Sequence, residues 1–113
     1  MKKAYRIKKT ADIEAVMKAR SVVRNNYLKI FKRKNHDARH FHFAISVPKR
    51  YGNAVERNKM KRRIRMIVSK LPISTTDDFF VVIHDDAKKL SFNELQDVLR
   101  NTLEKSKIIE VKK

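Results

Sequence analysis

Cysteine and tryptophan are absent from this 113-residue chain, glycine occurs once and proline twice. Without cysteine there can be no disulfide framework and no thiolate metal site, and the chain fits a reducing compartment. So few breakers leave no linker, repeat or low-complexity segment, so residues 1–113 read as a single domain. Long apolar runs are lacking too. The longest is Phe79-Phe80-Val81-Val82-Ile83, against the ~20 residues a spanning helix needs. The basic start Met1–Arg6 leads into no apolar stretch of the secretory kind. A cytoplasmic protein with no membrane partner is expected. Catalytic strings are missing as well: there is no GxSxG, no P-loop and no HExxH.

Acidic residues are scarce where basic ones crowd. Residues 1–76 hold 22 Lys/Arg and only 4 Asp/Glu, whereas residues 77–113 hold 7 and 8. The whole chain carries +17 at 13.4 kDa. One part is built to meet an anion. The 42% hydrophobic content nonetheless supports one modest core.

The excess peaks in Lys49–Arg65, with eight basic residues and one acid, Glu56. A helix is predicted over 53–71. Met60, Ile64, Ile67, Val68 and Leu71 form its apolar stripe. Asn58, Lys61, Arg62 and Arg65 fall on the opposite arc, with Arg57 near the boundary. Surface helices normally mix signs at i,i+4. This one does not, and guanidinium groups pair bidentately with phosphate, so nucleic acid is the expected partner.

The other elements follow from periodicity. A helix over 10–19 has Thr10 as expected N-cap and a stripe of Ile13, Val16 and Met17. Ser21–Lys34 is β-prone, broken at Asn25-Asn26. A turn is expected at Lys34–Asp37. His40–Val47 alternates, with Phe41, Phe43, Ile45 and Val47 on the core face, and Pro48 ends it. Phe79–Ile83 is apolar without alternation, the mark of a strand covered on both faces. Ser91 and Glu94 form a capping box, and Leu90 and Leu95 a staple, for a last helix. The order is αβββαβα, an α+β sandwich of a small sheet with helices.

Other constellations point less far. His40 and His42 share a sheet face, but with His36 and His84 they show no complete metal ligand set; partly solvated or RNA-holding histidines are expected. Asp77-Asp78 and Asp85-Asp86 bracket a strand and read as strand-end turn residues. No catalytic residue and no protein-bound metal is expected. Phe41 and Phe43 read as core, while Tyr27 and Phe31 could be core or an RNA-stacking surface.

The run Ser46-Val47-Pro48-Lys49-Arg50-Tyr51-Gly52-Asn53-Ala54-Val55-Glu56-Arg57-Asn58-Lys59-Met60-Lys61-Arg62-Arg63-Ile64-Arg65 closely resembles the signature of the bacterial ribonuclease P protein subunit. The likeness extends over nearly the whole chain, through the first helix, Ser21–Lys34 and Leu90–Ile108. It implies a small protein that assists a catalytic RNA. That RNA, with magnesium bound mainly by the RNA, would cut the 5′ leader from precursor tRNA to leave the mature 5′ end. The enzyme is then an endoribonuclease whose accessory subunit this chain resembles, with no self-sufficient catalysis and no obligate protein partner. The likeness places Arg57, Asn58, Lys61, Arg62 and Arg65 on the motif that meets the catalytic RNA, with Lys49, Arg50 and Asn53 on the adjoining loop. It implies a ribosomal-protein-like fold with a left-handed βαβ crossover, against the usual hand.

Two features depart from that family. Aromatic residues usual on the first helix are replaced by Ile13 and Met17. His42 and Ala44 stand where Arg and Gly are common. A leader-binding cleft of Ile13, Met17, Tyr27, Ile30 and Phe31 would then rely on apolar contact more than stacking, with Lys8, Lys9 and Lys29 as its charges. Rival readings are a structural, ribosomal-protein-like RNA-binding module, a stand-alone nuclease using His and Lys, and a DNA-binding helix.

Overall fold

The computed structural model describes residues 5–19, 21–35, 37–73 and 75–109. Helix α1 spans Thr10–Lys18, strands β1, β2 and β3 span Ser21–Arg24, Leu28–Arg33 and His42–Ser46, helix α2 spans Ala54–Lys70, β4 spans Asp78–Ile83, and α3 spans Phe92–Lys105. Single 3-10 turns at Lys49–Tyr51 and Asp85–Lys89 flank α2 and β4. The order αβββαβα is as expected. Part of the anticipated turn, His36, lies outside the described residues.

The four strands lie in the order β1-β2-β4-β3. The pairs β1·β2 and β2·β4 are antiparallel, and β3·β4 is parallel. A parallel neighbour requires a crossover, and α2 is that crossover. Asn25 makes the sharp turn between β1 and β2. Its side-chain oxygen accepts from the N–H groups of Tyr27 and Leu28, and its amide donates to Thr102 on α3.

Alternation sorts the strands into two faces. One face carries Leu28, Ile30, Phe43, Phe79, Val81 and Ile83 into the main core. There α2 packs over β3, and α3 over β1 and β2. Met60, Ile64, Ile67 and Val68 bury the predicted stripe of α2, and Leu95, Leu99 and Leu103 bury the apolar face of α3. Phe41, Phe43 and Phe79 form a ring cluster with centroids 5.4 to 6.2 Å apart. The other face carries α1 over β2 and β4. Val16 and Phe80 are buried but lie outside the main core. β4 is thus covered on both sides, as its unbroken apolar run predicts.

Element ends show where side chains replace backbone partners. Asn53 caps α2 and Ser91 caps α3, each in a reciprocal box with Glu56 or Glu94. Helix α1 differs from expectation: Thr10 is its first helical residue, and the N-cap, Lys9, makes no side-chain cap bond. After α3, Lys107 takes a left-handed conformation. The N–H of Ile108 then donates to the Leu103 carbonyl, and Ile108 and Ile109 turn back into the core. The N-terminal strip also joins the fold. Arg6 bridges to Phe43 on the outer edge of β3, and the Ile7 N–H donates to the Phe43 carbonyl at 3.0 Å.

Gly52 shows why the single glycine sits where it does. A Cβ there would lie 2.7 Å from Glu56 Oε1, the oxygen that accepts the Asn53 N–H. Gly52→Ala should therefore push Glu56 out of its capping box. A lower urea midpoint at unchanged slope is expected, and the loss should shrink in a Glu56→Ala background, where the two closest contacts, with Oε1 and Cδ, are gone and only Cβ at 3.1 Å remains.

The two boxes also have a pH signature. The Lys88 ammonium and the capped backbone hold Glu56 below the ordinary glutamate value of 4.5. Hydrogen bonds from the Ser91 backbone and side chain do the same for Glu94. Folded-state values below the unfolded ones mean a contribution complete above about pH 4.5 and lost as pH falls. The stability gap between the native chain and a Glu56→Ala/Glu94→Ala variant should narrow from pH 7 to acid. A constant gap in paired denaturation curves would refute the assignment.

Candidate nucleic-acid interface

Helix α2 presents two basic rows because residues four apart stack along a helix. Asn58 and Arg62 are exposed and point away from the body, with the exposed Met66 continuing their row. Arg57, Lys61 and Arg65 form the next row and are half-buried. Among the described residues no carboxylate pairs with any of these five. The Arg57 Nε is shielded from solvent yet has no acceptor. A buried donor left unmet is costly, and an arriving phosphate oxygen would relieve it.

Arg65 is the most informative of the row. It lines a concavity with Arg6, Ile7, Ile13, Phe43, Ala44 and Ile45. Burial, then the charge of Arg6, work against its protonated form. Arg65, partly desolvated and beside the Arg6 guanidinium, stores repulsion that an anion would cancel. The same hollow brings Ile13 of α1 to α2. The two surfaces expected to be separate therefore meet at Arg65.

The loop before α2 is held from below. The Tyr51 ring is buried, and burial pushes its phenol up. Lys88 Nζ donates to the Tyr51 carbonyl at 3.1 Å, approaches Glu56 Oε2 at 2.9 Å and sits over the Tyr51 ring. Lys49 and Arg50 are exposed, but Arg50 Nε is bonded to Asp85 Oδ1 at 2.9 Å. The Asn53 side chain accepts the Glu56 N–H at 2.9 Å. Asn53, expected on the RNA-binding loop, thus spends its side-chain oxygen on capping α2.

The expected leader cleft is only partly assembled. Ile13 is half-buried and Met17 is 45% exposed, both on α1. Phe31 lies on the α1 side of the sheet, its ring 6.3 Å from Phe80 and with Lys29 Nζ 5.6 Å from its centroid. Val22, its partner on β1, is exposed. Ile30 does not belong there. It is 1% exposed inside the main core, because one residue along a strand reverses the face. Tyr27 likewise packs against the main core. It sits in the turn before β2, where alternation does not govern direction.

Sequence reasoning missed a third cluster. Asp77 and Asp78, expected as turn residues, are buried. Asp78 Oδ2 accepts from Arg33 Nε at 3.2 Å, and both its oxygens accept from Asn35. His42 Nδ1 lies 3.3 Å from Asp78 Oδ1, and its ring centroid is 4.8 Å from that of His40. Lys32 reaches Asp77 at 4.0 Å. The strand register explains this, since Arg33 and His42 both face Asp78 across β4. Periodicity alone does not reveal that register. Among the described residues no three His, Asp or Glu side chains converge as a metal site requires, and no helix is long and apolar enough to cross a membrane.

Known proteins resemble this chain along most of its length. The chain is 38% identical over 108 residues to the ribonuclease P protein component of Macrococcus caseolyticus, covering 95% of this chain and 94% of the other. It is 39% identical over 114 residues to that of Staphylococcus epidermidis, covering 99% and 98%. The solved RNase P protein of Staphylococcus aureus superposes with a TM-score of 0.87 at 36% identity, over 96% of this chain and 100% of that one. The RNase P protein of Thermotoga maritima, at 24% identity, shares the fold with a TM-score of 0.77 over 88% and 96% of the two chains. With the family described as Ribonuclease P matching residues 1–107, the chain belongs to the ribonuclease P protein family.

Proposed function

We propose that this chain is the accessory subunit of a ribonuclease P whose catalytic centre is RNA, and that it assists removal of the 5′ leader from precursor tRNA. The observation that carries this reading is the unpaired basic flank of α2 meeting the apolar α1 side at Arg65. Asn58 and Arg62 face outward, suited to the catalytic RNA. Arg57, Lys61 and Arg65 face the groove beside α1, suited to a single strand running past Ile13 and Met17. Phe31, with Lys29 beside it, offers a ring and a charge on the open sheet face. Stacking on such a ring is worth ~1–3 kcal/mol per base.

Magnesium belongs to the RNA in this reading. Among the described residues no three His, Asp or Glu side chains converge. The protein's part is electrostatic and positional: it holds the RNA partner and the leader in register, so that precursor is favoured over product.

Cleavage of a precursor tRNA at low magnesium and moderate salt tests the assignment. The protein alone should be inert, the catalytic RNA alone weak, and the mixture active with a mature 5′ end. Cleavage by the protein alone would make it the nuclease. An inert mixture that still binds the RNA would point to a structural RNA-binding module.

Two pairs of substitutions test the surfaces. Arg62→Ala with Arg65→Ala, one cation from each row, should weaken RNA binding overall and flatten the log–log salt slope by up to ~2. An unchanged slope would strike both from the phosphate contacts. Ile13→Ala with Met17→Ala should lower affinity for leader-bearing substrate and spare binding to the catalytic RNA. Equal losses in a variant that melts like the native chain would undo the two-surface arrangement.

A further inference from the structure

Arg50 stands apart from the other cations of the basic segment. Arg57, Lys61, Arg62 and Arg65 have no carboxylate partner among the described residues, and neither does the exposed Lys49. Arg50 has one: its Nε donates to Asp85 Oδ1 at 2.9 Å. Asp85 opens the 3-10 turn that follows β4. Arg50 therefore reaches toward that turn, where it lines a hollow of about 260 Å³ with Asn26, His84, Asp85 and Asp86. The hollow sets two carboxylates against one guanidinium. Asp86 has a partner of its own, Lys89 at 3.6 Å, so Asp85 is the one that answers Arg50.

The two turns do not depend on this pair alone. Tyr51 on the first and Ala87 on the second are buried in the main core, and Lys88 Nζ donates to the Tyr51 carbonyl at 3.1 Å. The side chains of Arg50 and Asp85 are 73% and 47% exposed. A pair so exposed contributes at most ~1 kcal/mol. Arg50 can thus leave Asp85 with the loop intact, but a phosphate that recruits it must first displace a carboxylate. No such competitor stands at Lys49 or along the basic rows of α2.

We propose that Asp85 is a built-in competitor for RNA phosphate at Arg50, and that it thereby limits the affinity of this chain for its catalytic RNA. The cations of residues 49–65 then fall into two groups. Most meet a polyanion directly, whereas Arg50 is withheld until its carboxylate is displaced. Both sides of the exchange are charge-assisted hydrogen bonds to the same guanidinium, so neither excludes the other by geometry. This inference rests on the RNA-binding role proposed for α2 and adds to it a residue that opposes binding.

Equilibrium binding of the full chain to the catalytic RNA, measured across a salt series, tests it. Asp85→Asn keeps the size of the side chain and removes its charge. It should tighten binding about threefold and steepen the log–log salt slope by about 1, the increment of one added phosphate contact. Misfolding cannot imitate such a gain. Arg50→Gln should cost under about 1.5-fold in the native protein and about threefold in the Asp85→Asn background. Asp86→Asn makes the same change of charge next door and leaves Arg50 paired. Its gain should be smaller, and it should not alter the effect of Arg50→Gln. If Asp85→Asn leaves affinity unchanged or lowers it, Asp85 is no competitor and the inference falls. It falls equally if Arg50→Gln costs the same in both backgrounds. It falls too if Asp86→Asn reproduces both effects, since net charge would then suffice. Cleavage of precursor tRNA by the native protein with its catalytic RNA leaves the proposed function standing in each of these cases.

Discussion

Strand β4 pairs with β2 on one side and β3 on the other, and it is buried against helices on both faces. That arrangement dictates where the charges can go. Because β3 is parallel to β4, the chain between them must cross a sheet face, and α2 is the crossing element. Its apolar stripe is committed to the main core. The remaining arc, where the cations are concentrated, faces solvent and, at Arg65, the edge of β3 with Arg6, Ile7 and Ile13. On the opposite side β4 needs a cover for Phe80, and α1 supplies it. The groove between α1 and α2 follows from covering one strand twice.

The carboxylates are distributed to hold this frame and not to neutralise the basic helix. Asp77 and Asp78 fasten the β2 and β3 ends at the start of β4. Asp85 and Lys88, on the turn after β4, fasten Arg50, Glu56 and the Tyr51 carbonyl at the start of α2. The only acid in α2, Glu56, serves its own N-terminus. Exposed pairs of this type contribute at most ~1 kcal/mol each. Their greater effect is directional, since they fix the loop and helix that present the unpaired cations. Repulsion within that row lowers the chain's own stability and becomes a gain once a polyanion is bound.

Most of the fold was legible because its signals are local. The Ser91–Glu94 capping box, the strand break at Asn25-Asn26, the alternation of Phe41 to Val47 and the stripe of α2 each depend on residues within one helix or one strand. Membership of the proposed leader cleft was less legible because it depends on which strand face meets α1. Phe31 and Ile30 are neighbours in sequence and belong to opposite layers, and nothing local says which layer lies under α1. Tyr27 was misplaced for a related reason, lying in a turn where period-two reasoning stops. The buried role of Asp77 and Asp78 was hidden for another. An acidic pair at a strand end normally marks a turn, and only the register across β4 brings Arg33 and His42 to it.

With Ile13 and Met17 on α1, the groove has no aromatic side chain at these two positions, and this limits what it can recognise. An aliphatic side chain contacts any base through its apolar surface, but it lacks the flat π-face that makes stacking strong. The half-exposed Met17 is flexible and polarizable, which favours adaptable contact over selective contact. More of the binding free energy must then come from the phosphates, through Arg65 and its row. Phosphate contacts carry position without reading sequence. A groove with an aliphatic wall and a charged flank is accordingly suited to a ligand of fixed polarity and variable sequence, which is the character of the 5′ leaders it is proposed to hold.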